Sequence, residues 1–248
     1  VSWRVTAQGE QTSLFDRKQR AGQRLILGLA GASVDADFRA LVKEVQPAGF
    51  ILFARNVEEP AQVIELNREL ASLLKASLPA VLTVDQEGGR VQRIRDGATL
   101  FPPLRWVGNA DDEQVTRAHA EALAAEVAAL GFHLNWAPVA DVNSNPDNPV
   151  IGDRSFGDSP PKVARQVACW VEATQTAGLP ACVKHFPGHG DTSVDSHLDL
   201  PIVEREPPEL EEKELAPFRA AIAADVAAVM TAHVLYPAWD EELPATMS

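Results

Sequence analysis

The chain has 248 residues, 46% hydrophobic and 23% charged, with a formal net charge of −13, the balance of an acidic, soluble globular protein rather than a disordered or collagen-like one. An acidic surface without clustered Lys and Arg repels phosphate backbones and anionic lipid, so neither nucleic acid nor a membrane is an expected partner. No apolar run approaches the roughly 20 residues that span a bilayer, Val1–Gln11 is polar and unlike a signal peptide, and Cys169 and Cys182 form no CxxC; a cytoplasmic protein with two reduced packing thiols is expected.

The predicted elements alternate along the chain. A strand over Arg24–Leu29 precedes a helix over Asp35–Val45, a strand over Gly49–Phe53 precedes a helix over Pro60–Ala76, and a strand over Ala80–Val84 is followed by a helix over Asp111–Leu130. Then come a strand at His133–Ala137, a helix at Pro160–Ala177, a strand at Ala181–Lys184, a helix at Pro207–Ala224 and a strand at Ala227–Thr231. Pro60, Pro161 and Pro208 sit near helix starts, where a missing N–H is harmless. Gly131 and Gly178 follow helix ends and suit a left-handed cap. This alternation is the pattern of a parallel sheet, and a single α/β barrel takes about 250 residues. Gly28-Leu29-Ala30-Gly31-Ala32 lacks the GxGxxG spacing and no GxxxxGK[ST] occurs, so no nucleotide cofactor is expected.

Polar residues with chemical potential follow the predicted strand ends: Asp85, Asp141, Lys184-His185 and His233. In a barrel or an open parallel sheet that is the face where active sites form. The densest cluster is Lys184-His185-Phe186-Pro187-Gly188-His189-Gly190-Asp191-Thr192-Ser193-Val194-Asp195-Ser196-His197, a polar loop anchored to a strand. Two readings stand level on spacing alone. Asp195 can fix the tautomer of His197 and raise its basicity for proton transfer, or His185, His189, Asp191 and His197 can gather a divalent metal such as Zn²⁺ for a metal-dependent hydrolase.

A second constellation is Asp85-Gln86-Glu87-Gly88-Gly89-Arg90-Val91-Gln92-Arg93, where a Gly pair permits a tight turn. Converging carboxylates and guanidiniums suit a ligand rich in hydroxyls, and the bland alternative pairs Glu87 with Arg90. The third is the Asn- and Pro-rich connection from Asp141 to Gly157, whose likeliest ligand contact is Arg154. Trp106 and Trp239, near loops, are candidate sugar contacts.

Together these segments resemble the family 3 glycoside hydrolases, in particular the bacterial β-N-acetylhexosaminidases of the cell-wall recycling type. The similarity runs in order through Leu25–Asn56, Val84–Arg93, Ala137–Val142, Ile151–Gly157 and Lys184–His197. It implies a (β/α)₈ TIM-like barrel, read here as one domain over residues 1–248 that stops after about six βα units. It also implies removal of terminal β-linked N-acetylglucosamine from muropeptides or chitin fragments, by a retaining two-step mechanism without metal or other cofactor. By the same resemblance Asp85, Arg93, Arg154, Lys184 and His185 hold the sugar, and His197, polarised by Asp195, is the acid/base. An imidazole in that role departs from the usual pair of carboxylates.

The family's nucleophile is an Asp after the seventh strand, preceded by a segment that begins like Pro244-Ala245-Thr246-Met247-Ser248; it is expected beyond Ser248. The alternative expectation is therefore a sugar-binding or inactive fragment. The expected partner is a carbohydrate containing N-acetylglucosamine, and a monomer is expected.

Overall fold

A computed structural model describes residues 17–74, 79–195 and 198–248. Val1–Gln11 and the last two residues of the predicted helix Pro60–Ala76 lie outside the described residues.

All six predicted strands are present. They are β1 (Ile26–Gly28), β2 (Gly49–Leu52), β3 (Val81–Val84), β6 (Leu134–Asn135), β7 (Cys182–Phe186) and β8 (Ala228–Thr231). β1, β2, β3 and β6 pair in that order, all parallel. The bridges Asn135–Ala181 and Val139–Lys184 continue the ladder to β7, which pairs with β8 in parallel. Neighbours in sequence are thus neighbours in the sheet, the order of a (β/α)₈ barrel, here over six strands. No closure is seen among the described residues: β1 pairs only with β2 and β8 only with β7.

The strand of His133–Ala137 is regular over only two residues because Pro138 has no N–H to give the ladder. Pairing with β7 nevertheless continues past it: Cys182 N donates to Ala137 O at 3.0 Å and Ala140 N to Lys184 O at 2.7 Å.

The helices follow their signals. α2 (Ala36–Val45) is capped by the Asp35 side chain, which accepts from Phe38 N, and α5 (Glu113–Ala129) by Asp112, which accepts from Gln114 N; each supplies one of the partners that a helix start lacks. α3 (Pro60–Ser72) and α6 (Pro160–Thr176) begin on proline, and Gly131 and Gly178 adopt φ of +88° and +89°. Leu66, Leu70, Leu123, Val127, Val163, Val167 and Trp170 bury one face of these helices against Phe50, Leu52, Leu82 and Val84 of the sheet.

Four features depart from the sequence reading. The predicted helix Pro207–Ala224 is two helices, α7 (Pro207–Lys213) and α8 (Leu215–Ala223), because Pro217 cannot donate to the carbonyl four residues back. α4 (Leu104–Ala110) and α1 (Arg17–Gly22) are additional and too short for a clear period. Gln86–Gly88 (β4) and Val91–Gln92 (β5) form an antiparallel hairpin, turned by Gly88 and Gly89 at φ of +97° and +56°. A side chain at Gly88 would also meet Pro102 O.

Both cysteines are free and buried, and burial pushes the Cys182 thiol up to about 12. Among the described residues no helix is long and apolar enough to cross a membrane.

Candidate active site

The C-terminal ends of β3, β7 and β8 open onto one cavity of about 600 Å³. Asp85 follows β3 directly, Lys184 and His185 lie within β7, and Arg93 follows the β4–β5 hairpin. All four line the cavity, with Arg154, Asp195 and His233.

At its floor lies a chain of ionic contacts. Lys184, 2% exposed, places its Nζ 2.7 Å from Asp85 Oδ1 and 2.6 Å from Glu87 Oε1. Arg154 grips Glu87 with two prongs, Nε to Oε2 at 2.9 Å and Nη2 to Oε1 at 2.8 Å, the bidentate geometry that only guanidinium supplies. Arg154 Nη2 also lies 3.5 Å from His185 Nε2. His185 Nδ1 meets Asp141 Oδ2 at 2.7 Å, and Asp141 Oδ1 accepts the backbone N–H groups of His185 and His189. Arg93 Nη2 stands 3.6 Å from Asp85 Oδ2, and its Nε is buried with no partner.

Charge states follow from this packing. Burial alone would raise the Glu87 carboxyl, but the charges of Lys184 and Arg154 outweigh it and hold Glu87 down at about 2. Burial also acts against ionised Asp141, and the contact with His185 outweighs it, leaving the carboxyl below its ordinary value. Lys184, penalised by burial, is held protonated by Glu87 and Asp85, its pKa above the ordinary lysine value. Fixed anions and cations alternate around the floor, so a ligand bearing hydroxyl groups meets an acceptor or a donor at each step.

The structure thus brings together Asp85, Arg93, Arg154, Lys184 and His185. Asp195 lines the same cavity, while Ser196 and His197 lie outside the described residues. One correction arises. Glu87 does not pair with Arg90: it turns inward to Lys184 and Arg154, and Arg90 pairs with Asp153 at 3.0 Å. Of the metal set, His185, His189 and Asp191 are described and His197 is not, and the three described side chains do not converge. His185 Nδ1 is engaged by Asp141, His189 Nδ1 contacts Thr192 Oγ1 at 2.7 Å, and Asp191 turns to Arg205 and Ser144; among the described residues no three His, Cys, Asp or Glu side chains converge as ligands.

Sequence reasoning named neither Glu87 nor Asp141 as a sugar-holding residue, although it placed both near the site. Asp141 carried a signal, its place after a strand; Glu87 carried none beyond its nearness to Asp85. His233, also at a strand end, contributes an exposed ring whose Nδ1 lies 2.9 Å from Thr246 Oγ1. Trp106 is exposed and Trp239 lines a different, apolar cavity beside Phe186 and Tyr236, so neither borders this site.

The model of the glycosyl hydrolase family 3 N terminal domain matches residues 19–248. The chain belongs to glycosyl hydrolase family 3. A β-hexosaminidase of Xylella fastidiosa (strain M23) is 42% identical to this family 3 chain over 219 residues, 86% of the chain and 64% of the relative. One from Nitrosomonas eutropha is 40% identical, covering 87% of the chain and 63% of the relative. The chain therefore spans somewhat less than two thirds of the length of these relatives.

Among solved structures, a family 3 β-N-acetylglucosaminidase from Paenibacillus superposes with a TM-score of 0.91 at 46% identity, covering 94% of the chain and 45% of that protein. NagZ from Neisseria gonorrhoeae, solved with N-trifluoroacetyl-D-glucosamine, superposes with a TM-score of 0.85 at 35% identity, over 90% of the chain and 67% of that protein. These likenesses establish the TIM-barrel-like α/β fold.

Proposed function

We propose that residues 1–248 form one domain carrying the sugar-holding part of an exo-acting β-N-acetylglucosaminidase, which removes terminal β-linked N-acetylglucosamine from peptidoglycan-derived muropeptides or chitin fragments. The observation that carries the reading is Lys184 buried between Asp85 and Glu87 at the floor of a strand-end cavity, in a chain of glycosyl hydrolase family 3. Asp85 offers a carboxylate to sugar hydroxyls, and Arg93, Arg154, Lys184 and His185 offer donors in fixed directions. The protein works as a cytoplasmic monomer, with no metal or other cofactor.

In the proposed reaction an Asp supplied by residues beyond Ser248 attacks the anomeric carbon while His197, oriented by Asp195, gives its proton to the departing glycosidic oxygen. Water then attacks the glycosyl-enzyme, His197 takes the proton from that water, and the Asp carboxylate leaves. The two displacements retain the anomeric configuration.

The test is an assay of the full-length protein on an aryl β-glycoside of N-acetylglucosamine, with the product anomer followed by NMR. Release of the β-anomer, insensitive to EDTA, is expected. No turnover, binding without turnover, or release of the α-anomer overturns the hydrolase mechanism.

A further inference from the structure

Asp191, freed from the metal reading, has another employment. Arg205 takes both of its carboxylate oxygens, Nε to Oδ2 at 2.5 Å and Nη2 to Oδ1 at 2.8 Å, and Ser144 Oγ donates to Oδ1 at 3.0 Å. Arg205 is braced in turn by Glu209 in the first turn of α7, which also pairs with Lys213.

The adjoining residues are tied from the opposite side by the connection after β6. Asn145 Nδ2 donates to Thr192 O at 3.1 Å, and Asn148 Nδ2 donates to His189 O at 2.8 Å and Thr192 Oγ1 at 3.2 Å. Gly190 packs so closely on Val142 that a Cβ there would stand 1.6 Å from Val142 O. Further along, Leu198 N and Asp199 N donate back to Asp195 O, Val203 N donates to Leu235 O at 3.0 Å and Leu235 N to Pro201 O at 2.9 Å.

The Asp191–Arg205 pair therefore clamps the loop four residues before Asp195 enters the cavity. Neither Asp191 nor Arg205 lines the cavity, so the pair does not serve to hold a sugar. We propose that Asp191 and Arg205 are positioning residues for Asp195, the orienting carboxylate of the proposed proton transfer: the bidentate pair fixes how the loop brings Asp195 to the cavity. The proposal rests on the hydrolase reading above. A planar fork closing on a carboxylate sets orientation as well as distance, which a lysine cannot reproduce. Misplacement of a proton donor by about 1 Å can cost on the order of 10²-fold in rate.

Leaving groups provide the test, because a disaccharide oxygen needs its proton in the transition state and an activated aryl oxide hardly does. In the full-length protein, Arg205→Ala, Arg205→Lys and Asp191→Asn are compared with wild type on N,N′-diacetylchitobiose and on an activated aryl β-N-acetylglucosaminide. Inhibition by free N-acetylglucosamine serves as the measure of the intact sugar site.

Arg205→Ala and Asp191→Asn are expected to lower the disaccharide kcat about 10- to 100-fold and the aryl rate far less, with the inhibition constant within about two-fold. Arg205→Lys should fall between Arg205→Ala and wild type. An active wild type beside variants whose disaccharide-to-aryl ratio is unchanged overturns the positioning role alone, as does a parallel loss of N-acetylglucosamine binding. A wild type that cleaves neither substrate overturns the hydrolase reading, and the positioning role with it.

Discussion

Lys184 and Arg154 sit on the cavity floor with side-chain exposures of 2% and 12% and share Glu87, which is 1% exposed. On the loop after β7, Arg205 is 29% exposed and Asp191 15%, and the remaining side-chain ties are neutral contacts from Ser144, Asn145 and Asn148. The floor consists of charges taken out of water, which fold only if each is paired. The loop is held by one partly exposed ion pair and by neutral amide contacts, the latter worth about 1 kcal/mol each. Damage to the floor should therefore be read in stability and sugar affinity, and damage to the loop in rate.

The largest expected effect falls on the loop. His197→Ala in the full-length protein should lower turnover of a disaccharide substrate by about 10²–10⁴-fold, the usual contribution of a positioned proton donor, without shifting the unfolding midpoint. Steady-state kinetics beside thermal unfolding checks this; an effect of only a few-fold removes His197 from the acid/base role.

Next comes Glu87→Gln, which strips a shared anion from Lys184 and Arg154. Leaving buried charges uncompensated costs about 3–5 kcal/mol, measurable by urea unfolding. A loss below about 1 kcal/mol would place the floor in the same energetic class as the loop and dissolve the contrast.

A smaller, pH-dependent effect should appear at Glu214, between α7 and α8 beneath the loop. Its carboxyl oxygens are buried without partners, a side chain at Gly188 would run into it, and burial, with the nearby charges of Asp141 and Asp191, raises it from 4.5 to about 8. Below 4.5 the folded and unfolded states both hold the proton, and stability is unaffected. Between 4.5 and 8 the unfolded chain ionises while the folded chain does not, so stability falls as pH rises. Glu214→Gln should remove that dependence, its unfolding temperature gaining on wild type from near pH 4.5 to near pH 8. A difference constant across that range contradicts the assignment.

The strands were legible because short apolar runs such as Gly49–Leu52 and Val81–Val84 end in a polar residue or a turn, and the helices because period, proline and glycine agree. The hairpin Gln86–Gln92 was legible only as a turn, since five strand residues split by two glycines leave no run to read. Residue pairing was the harder problem. Spacing offers Glu87 its neighbour Arg90 as the bland alternative partner, yet its partner Arg154 lies 67 residues away, and Asp141 finds His185 at a separation of 44. Such pairs are set by which strands adjoin in the sheet, and local spacing does not contain that. Asp191 likewise takes Arg205 from the return limb of the loop, a partner that local spacing does not show.

The division of labour between floor and loop is tested most directly by calorimetric titration of N-acetylglucosamine into the full-length protein and two variants. Asp85→Asn, which alters a carboxylate on the floor while leaving Lys184 paired with Glu87, should weaken binding by about 10-fold or more, as expected for hydrogen bonds to a charged group. His197→Ala should bind within about two-fold of wild type, because a proton donor acts on the leaving oxygen and not on the held sugar. Equal losses in the two variants, or an Asp85→Asn protein that binds like wild type, would contradict the account.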